Sequence, residues 1–481
     1  AQRTLSLDSC RALALHNNKQ INVSKLKQDM AMNIRKAAKT KYLPKVDAAG
    51  GYQYFSESIS LLSKDEKNQL NNLGTNAATL AGGSLSSMVT GLVQQGVIPA
   101  SVAQQISGVI GQLGTPMATA GNQIGNSIVK SLETDTHNIW GGAIMVRQPI
   151  FMGGAITAIN NIAKINENLA ANDADYKTQS TLYDIDQAYW LVVSLKQKQL
   201  LANSYLNLVK KLNSDVQKMI KEGIATHADG LRVNVKVNEA EMQVTQVDDG
   251  LILSKMMLCQ LCGIPMEDNI TLTDENSDGL NLDMSQQTDK VADKETASSN
   301  RPELRMLQNG IEISEQATKL VRAEYLPHVL LTGGYLVSNP NIYNSFEKKF
   351  AGTWNVGVMV QVPVWTWFES SYKIRASKLA TSMAQMELCD TKEKIYLQIT
   401  QSQFKVKEAH KKLTMARKNI KSAEENLRCA NLGFREGIME TTDVMTAQTA
   451  WQQAQSQKID AEVDVKLSLV NLQKALGVLR Y

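Results

Sequence analysis

The sequence predicts an α+β membrane protein in which four strands per chain close, as a trimer, into a twelve-stranded β-barrel that continues into a long α-helical barrel. Three observations predict it: an internal duplication that holds register over more than 120 residues, strand-length runs of alternating character, and a stretch from 153 to 221 without a proline.

Composition sets the limits first. The chain has 481 residues, 20% of them charged, and a net charge of +4 spread without a basic block, so nothing recommends nucleic acid as a partner. No run of 18 strongly apolar residues occurs, which leaves a closed barrel as the way to span a bilayer. Residues 1–7 carry neither a charged n-region nor an apolar h-region, the numbering expected of a mature chain or of one that never had a leader. Five cysteines make no dense framework, so disulfides are not expected to hold the fold.

The duplication comes next. Lys39 to Pro44, ending Tyr-Leu-Pro, is answered 283 residues later by Arg322 to Pro327, and Gly50-Gly51-Tyr52 by Gly333-Gly334-Tyr335. Further on the offset is 214 and stays there: Trp140 with Trp354, Pro149 with Pro363, Gly223 with Gly437, Asp229 with Asp443, Gly263 with Gly477. The change locates an insertion of 69 residues in the first copy, between its two strands. Each copy reads helix, Tyr-Leu-Pro, strand, loop, strand, long helix, Glu-Gly turn, returning helix. Proline ends the first helix and starts the extended segment.

The strands carry the membrane argument. From Trp354 to Val362 every second residue is tryptophan or valine and the alternate set is small, polar or flexible. From Trp140 to Gln148, Ile144 and Val146 fall on one face, and Gly141, Ala143 and Arg147 on the other. Period-two runs of about 10 residues mark a barrel with lipid outside and water inside. Arg147 and Gln361 are therefore expected to face the lumen. Four strands cannot close a barrel, and oligomers close with symmetry, so three chains giving twelve strands is the natural solution.

The helices set the length. The descending helix, Gly153 to about Lys221, should reach roughly 100 Å, and the returning helix, Asp229 to about Cys262, about half of that. The helix of about Gln20 to Lys41 adds roughly 33 Å, leaving about 15–20 Å uncovered. Segments 1–18 and 264–300 are the spare material, and they are expected to form an equatorial collar. The domain reading is a first repeat over 1–263 with an enlarged extracellular loop at about 56–135, a linker at 264–300, and a second repeat over 301–481.

Taken together, these residues resemble the TolC family of outer-membrane efflux proteins. The resemblance rests on the two Tyr-Leu-Pro junctions, Gln148-Pro149-Ile150-Phe151 with Gly153-Gly154, Asn300-Arg301-Pro302-Glu303-Leu304, and Phe434 to Gly437 with Thr442-Asp443-Val444. It covers most of the chain outside about 56–135. It implies a homotrimer in the bacterial outer membrane, reaching into the periplasm and docking on a periplasmic adaptor and an inner-membrane pump of RND or ABC type.

Candidate residues divide in the same way. By resemblance, Glu440 and Asp443 stand where the family narrows its periplasmic entrance, and in a trimer each becomes a ring of carboxylates that favours cations. The competing role for Asp443 is a helix N-terminal cap. By the same resemblance, Thr446 stands where many relatives carry a second aspartate, and Met439 at the place of a gate-linked arginine, which implies a softer gate. Gly223-Ile224 and Gly437-Ile438 end the long hairpins, and by resemblance contact the adaptor; the plain alternative is a turn that needs positive φ.

Cys259 and Cys262 have no second cysteine pair or histidine cluster near in sequence, so no metal or other cofactor is expected, and the scattered histidines give no catalytic constellation. Residues 68–129 hold no Asp, Glu, Lys or Arg; the expectation is a folded cap of short helices over the barrel mouth, against disorder. The functional expectation is a passive efflux conduit for small molecules, not an enzyme. A protein-secretion duct of an ABC system and a soluble coiled-coil scaffold are the alternatives.

Overall fold

The computed structural model describes residues 3–54, 56, 65, 71–94, 100–131, 138–276, 294–341 and 349–479. The chain divides into two compact units. One comprises Leu26–Asp173 and Glu303–Thr391, the other Ala1–Lys25, Ala174–Pro302 and Lys392–Tyr481. Parts of the expected loop at 56–135 and of the linker at 264–300, notably 277–293, lie outside the described residues.

The first unit is organised by a four-stranded antiparallel sheet of β2 (Lys45–Tyr54), β3 (Asn138–Met152), β5 (His328–Asn339) and β6 (Ala351–Gln361), in the order β2-β3-β5-β6. Strands β2 and β6 are its edges. The entry into β2 and into β5 repeats a backbone bond, Leu43 N–H to Thr40 O at 3.1 Å and Leu326 N–H to Ala323 O at 3.2 Å, each just before the proline that forces the chain to extend. In β3 the register shifts between Pro149 and Phe151, where proline cannot donate to the ladder.

Register decides the two faces. Arg147 pairs with Lys45 and Thr332, Thr332 with Gly357, and His328 with Gln361, so Arg147 and Gln361 share a face as the alternation predicts. The opposite face carries Val46, Trp140, Ile144, Val146, Tyr335, Trp354, Val356, Val358 and Val360, all exposed. Trp140 packs against Tyr52 with ring centroids 4.3 Å apart.

The insertion between β2 and β3 holds two helices, α3 (Leu73–Gln94) and α4 (Ala100–Ser131). They touch through glycines: a Cβ on Gly74 would meet the Ala118 carbonyl at 2.3 Å, and one on Gly121 the Gly74 Cα at 2.4 Å. The expected cap is a hairpin of helices, but α4 lies against the Arg147 face of the sheet. Up to residue 129 these helices carry no ionisable side chain, and that stretch can be buried there at no cost in charge desolvation.

The second unit is helical. Helix α5 (Ala155–Lys221) enters from the first unit and returns as α6 (His227–Cys262); α9 (Glu369–Arg435) likewise returns as α10 (Thr441–Ala475). Helices α5 and α9 are both 67 residues long, and in chain order the shorter α2 (Lys19–Lys39), α7 (Lys294–Asn300) and α8 (Pro302–Ala323) fall between the others. Around Ile185 and Tyr189, a core gathers Leu5 of β1 (Arg3–Leu5), Cys10 and Ala14 of α1 (Leu7–Asn17), Leu258 and Cys262 of α6, and Ile270 and Leu272 of β4 (Ile270–Leu272). Strand β1 runs parallel to β4, a pairing that three-residue strands do not announce in sequence. Arg11 of α1 clamps the fully buried Asp186 through two bonds, Nε to Oδ1 at 2.8 Å and Nη2 to Oδ2. Burial pushes the Asp186 carboxyl up, and the guanidinium opposes that push. Tyr189 donates to Asp274 at 2.5 Å, and Asn18 Nδ2 to the Leu261 carbonyl at 2.8 Å.

Candidate functional site

Helices α5, α6, α9 and α10 share one apolar core of Val209, Leu212 and Val216 with Val233, Leu427 and Val444, which sets their turns side by side. Both turns use the same device. At the first, Gly223 N–H bonds Ile220 O at 3.0 Å and Ile224 N–H bonds Met219 O at 2.8 Å; at the second, Gly437 bonds Phe434 at 3.2 Å and Ile438 bonds Gly433 at 2.8 Å. This paired bonding satisfies the last carbonyls of the helix and requires the left-handed backbone that Gly223 (φ 71) and Gly437 (φ 73) adopt.

In such a turn the apolar residue after glycine ordinarily packs back on its helix. Here it does not. Ile224 is 71% exposed and Ile438 82% exposed. The same bonding closes the far end of α6, where Gly263 N–H reaches Gln260 O at 3.2 Å and Ile264 N–H reaches Cys259 O at 3.0 Å, yet Ile264 is only 9% exposed. The turns at 223 and 437 therefore present apolar side chains that the chain itself leaves uncovered.

The carboxylates beside them cap the returning helices. Thr226 Oγ1 accepts from Asp229 N–H at 3.2 Å while Asp229 Oδ2 accepts from Thr226 N–H at 3.1 Å. The Thr226 hydroxyl also donates to Asp229 Oδ2 at 2.6 Å, and this bond, with the one from the Thr226 backbone N–H, holds the Asp229 carboxyl below its ordinary range. At the positions 214 later, Asp443 Oδ2 accepts from Glu440 N–H at 3.0 Å, and Glu440 takes the N-cap place. Asp443 is thus the third residue of α10 rather than its first, and its side chain reaches back to the N-cap backbone. Glu440 is exposed, and Thr446 spends its hydroxyl on the Thr442 carbonyl at 2.8 Å. Met439 packs on Gly433, where an added Cβ would meet its side chain at 3.0 Å.

In the sheet unit, Arg147 is 4% exposed, ion-paired with Asp47 and covered by α4, whereas Gln361 on the edge strand is exposed. Sequence reasoning missed one site feature. After β6, Trp365, Trp367 and Phe368 form an exposed cluster with centroids 5.7 and 5.9 Å from Trp365, and both Trp367 (φ 50) and Phe368 (φ 63) have left-handed backbone. The residues 214 earlier are Gly153 (φ 61) and Gly154 (φ 86). The signal was available: the offset that aligns Trp140 with Trp354 also aligns glycine with aromatic here. Among the described residues no helix is long and apolar enough to cross a membrane, and no group of three or more His, Cys, Asp or Glu could hold a metal ion.

Residues 295–478 match the family of outer membrane efflux proteins. The match covers 184 of the 481 residues. A search of curated proteins returns no match. Among solved structures, the Campylobacter jejuni CmeC outer membrane channel is similar with a TM-score of 0.72 at 14% identity, covering 98% of this chain and 85% of that one. The open state of the Neisseria gonorrhoeae MtrE outer membrane channel gives 0.69 at 14%, covering 98% and 89%. The Vibrio cholerae outer membrane protein VceC gives 0.69 at 13%, covering 98% and 96%. At these identities the likeness establishes the fold, which the efflux protein domain shares with outer membrane channels.

Proposed function

We propose that the chain is one third of a homotrimeric efflux channel of the bacterial outer membrane, a passive conduit for small molecules that takes them from a periplasmic adaptor and an inner-membrane pump. One observation carries the reading. The sheet has an exposed valine and tryptophan face and two unpaired edges, β2 and β6. A sheet with that face in water and those edges open is an aggregation template; in lipid, closed with two further copies, it is a barrel wall. The long helix supports the same partner. On α9 the exposed Leu379, Met383, Met386, Leu397, Phe404 and Met415 fall on one stripe at helical period, a seam for another copy.

The lipid boundary is set by Trp365, Trp367 and Phe368, since indole and phenyl rings prefer the headgroup level. Ile224 and Ile438 offer the adaptor its apolar contact, and Glu440 with Asp443 supplies carboxylates at the entrance. Reconstitution of the purified chain in a planar bilayer tests the channel. Discrete conductance from a heat-resistant trimer is the expected result, and a monodisperse monomer without conductance would sink the proposal. The entrance has its own test. Asp443→Asn should lower cation selectivity if the carboxylates face the axis; because the asparagine amide oxygen can still accept from the Glu440 N–H, unchanged selectivity would leave the cap alone.

A further inference from the structure

The hairpin α3–α4 has no room in the barrel just proposed. A Cβ on Gly121 would come within 3.0 Å of the Arg147 guanidinium, and Pro116 closes a small cavity with Met152, His328, Leu330, Met359 and Gln361. Along the Arg147 face, Ile139, Ala143, Met145, Arg147, His328 and Leu330 are buried within a single chain, while the valine face is bare. The hairpin covers Arg147 through Gly121 and reaches His328 and Leu330 through Pro116.

Twelve strands spaced about 4.8 Å and tilted about 40° enclose a backbone diameter of about 24 Å, and side chains of about 5 Å on each wall leave about 14 Å. One helix with its side chains fills about 10–12 Å. Three copies of α4 cannot all stay on their sheets inside that space. We propose that the α3–α4 hairpin is an assembly cover: it seals the Arg147 face of the unassembled chain and is displaced from at least two of the three sheets when the barrel closes.

The inference rests on the three-chain barrel reading. Its chemistry fits both states. A hairpin without a charged side chain from 73 to 129 hides an apolar and hydrogen-bonding surface from wrong partners during transit. Once it leaves, the Arg147–Asp47 pair returns to water, where an ion pair carries no desolvation penalty. The glycine contact between α3 and α4 at Gly74 and Gly121 lets the hairpin move as one piece.

The test uses the full chain with the exposed Cys389 and Cys429 changed to serine. Pro116→Cys is combined with Met359→Cys or, in a second variant, with Leu330→Cys, since all three residues line one cavity. A short bis-maleimide should link at least one pair in the unassembled chain. After assembly the yield should fall to no more than about one third, the share set by room for one helix. Chains linked beforehand should fail to form the heat-resistant trimer that unlinked chains form. An undiminished yield in the trimer, or linked chains that trimerise as well as unlinked ones, overturns the cover and leaves the barrel standing. Failure of both pairs to link in the unassembled chain overturns it too. If the unmodified chain forms no trimer, the barrel reading falls and takes the cover with it.

Discussion

Helix α6 ends a hairpin at one extremity and packs into a core at the other, and the two extremities use the same bonded turn for opposite purposes. At Gly263 the turn is pressed against Asn17, where an added Cβ would meet Asn17 Cβ at 2.7 Å, and Ile264 is buried. At Gly223 an added Cβ would meet nothing within 4 Å, and Ile224 is exposed. The backbone motif is the shared answer to unsatisfied helix carbonyls; what covers the residue after it separates a structural closure from a presented surface. Burial, and not the motif, is the functional signal.

Substitutions at the glycines should separate the two ends most widely. Gly263→Ala combines the left-handed penalty of about 1–2 kcal/mol with an overpacking cost of about 1–3 kcal/mol, whereas Gly223→Ala carries the first alone. Unfolding followed by hydrogen exchange along α6 would read both, and equal losses would break the comparison. A smaller contrast is expected one residue on. Ile264→Ala should cost about 2–4 kcal/mol by leaving a cavity, and Ile224→Ala less than about 0.5 kcal/mol. Export from cells should nevertheless fall with Ile224→Ala and Ile438→Ala together, and unimpaired export would remove the docking role.

Acid provides the finest test. The folded Asp229 carboxyl lies below its ordinary value, so its contribution is in place above the unfolded pKa of about 3.9 and is lost as pH falls through the folded one. Asp186, pushed up by burial, has the opposite slope: the folded state binds its proton first, and acidification through that window favours folding. Amides of the 223 turn should therefore lose protection below about pH 4 before those beside Asp186. Simultaneous loss would show that the two ends melt as one.

Much of this architecture was legible because period and punctuation are local properties. The expected helix of 153–221 is Ala155–Lys221, and the returning helix expected from Asp229 starts at His227. The alternation from Trp140 to Gln148 put Arg147 on the face opposite Ile144 and Val146, as the register has it, because a strand has no freedom in which side its residues take. What stayed hidden was non-local. Nothing near Arg3 or Ile270 says that these short strands pair, and the weak pattern of Val102 and Ile106 names a helix without naming the surface it lies on. Asp443 shows the same limit at a site: the cap is written in its neighbours, whereas any ring of carboxylates depends on chains outside its own.

The backbone at 367 and 368 keeps the left-handed conformation that Gly153 and Gly154 hold 214 residues earlier, although tryptophan and phenylalanine now occupy it. Glycine adopts that conformation freely, and a bulky side chain does so at a cost of order 1–3 kcal/mol. At 153 the glycine is enforced, since a Cβ would meet the Ala323 carbonyl at 2.5 Å. Trp367 and Phe368 are instead exposed, so side chains could be gained there without steric conflict. If these rings stand at the lipid boundary as proposed, glycine at 367 and 368 should relieve the backbone cost and leave the chain holding its depth in the bilayer less firmly.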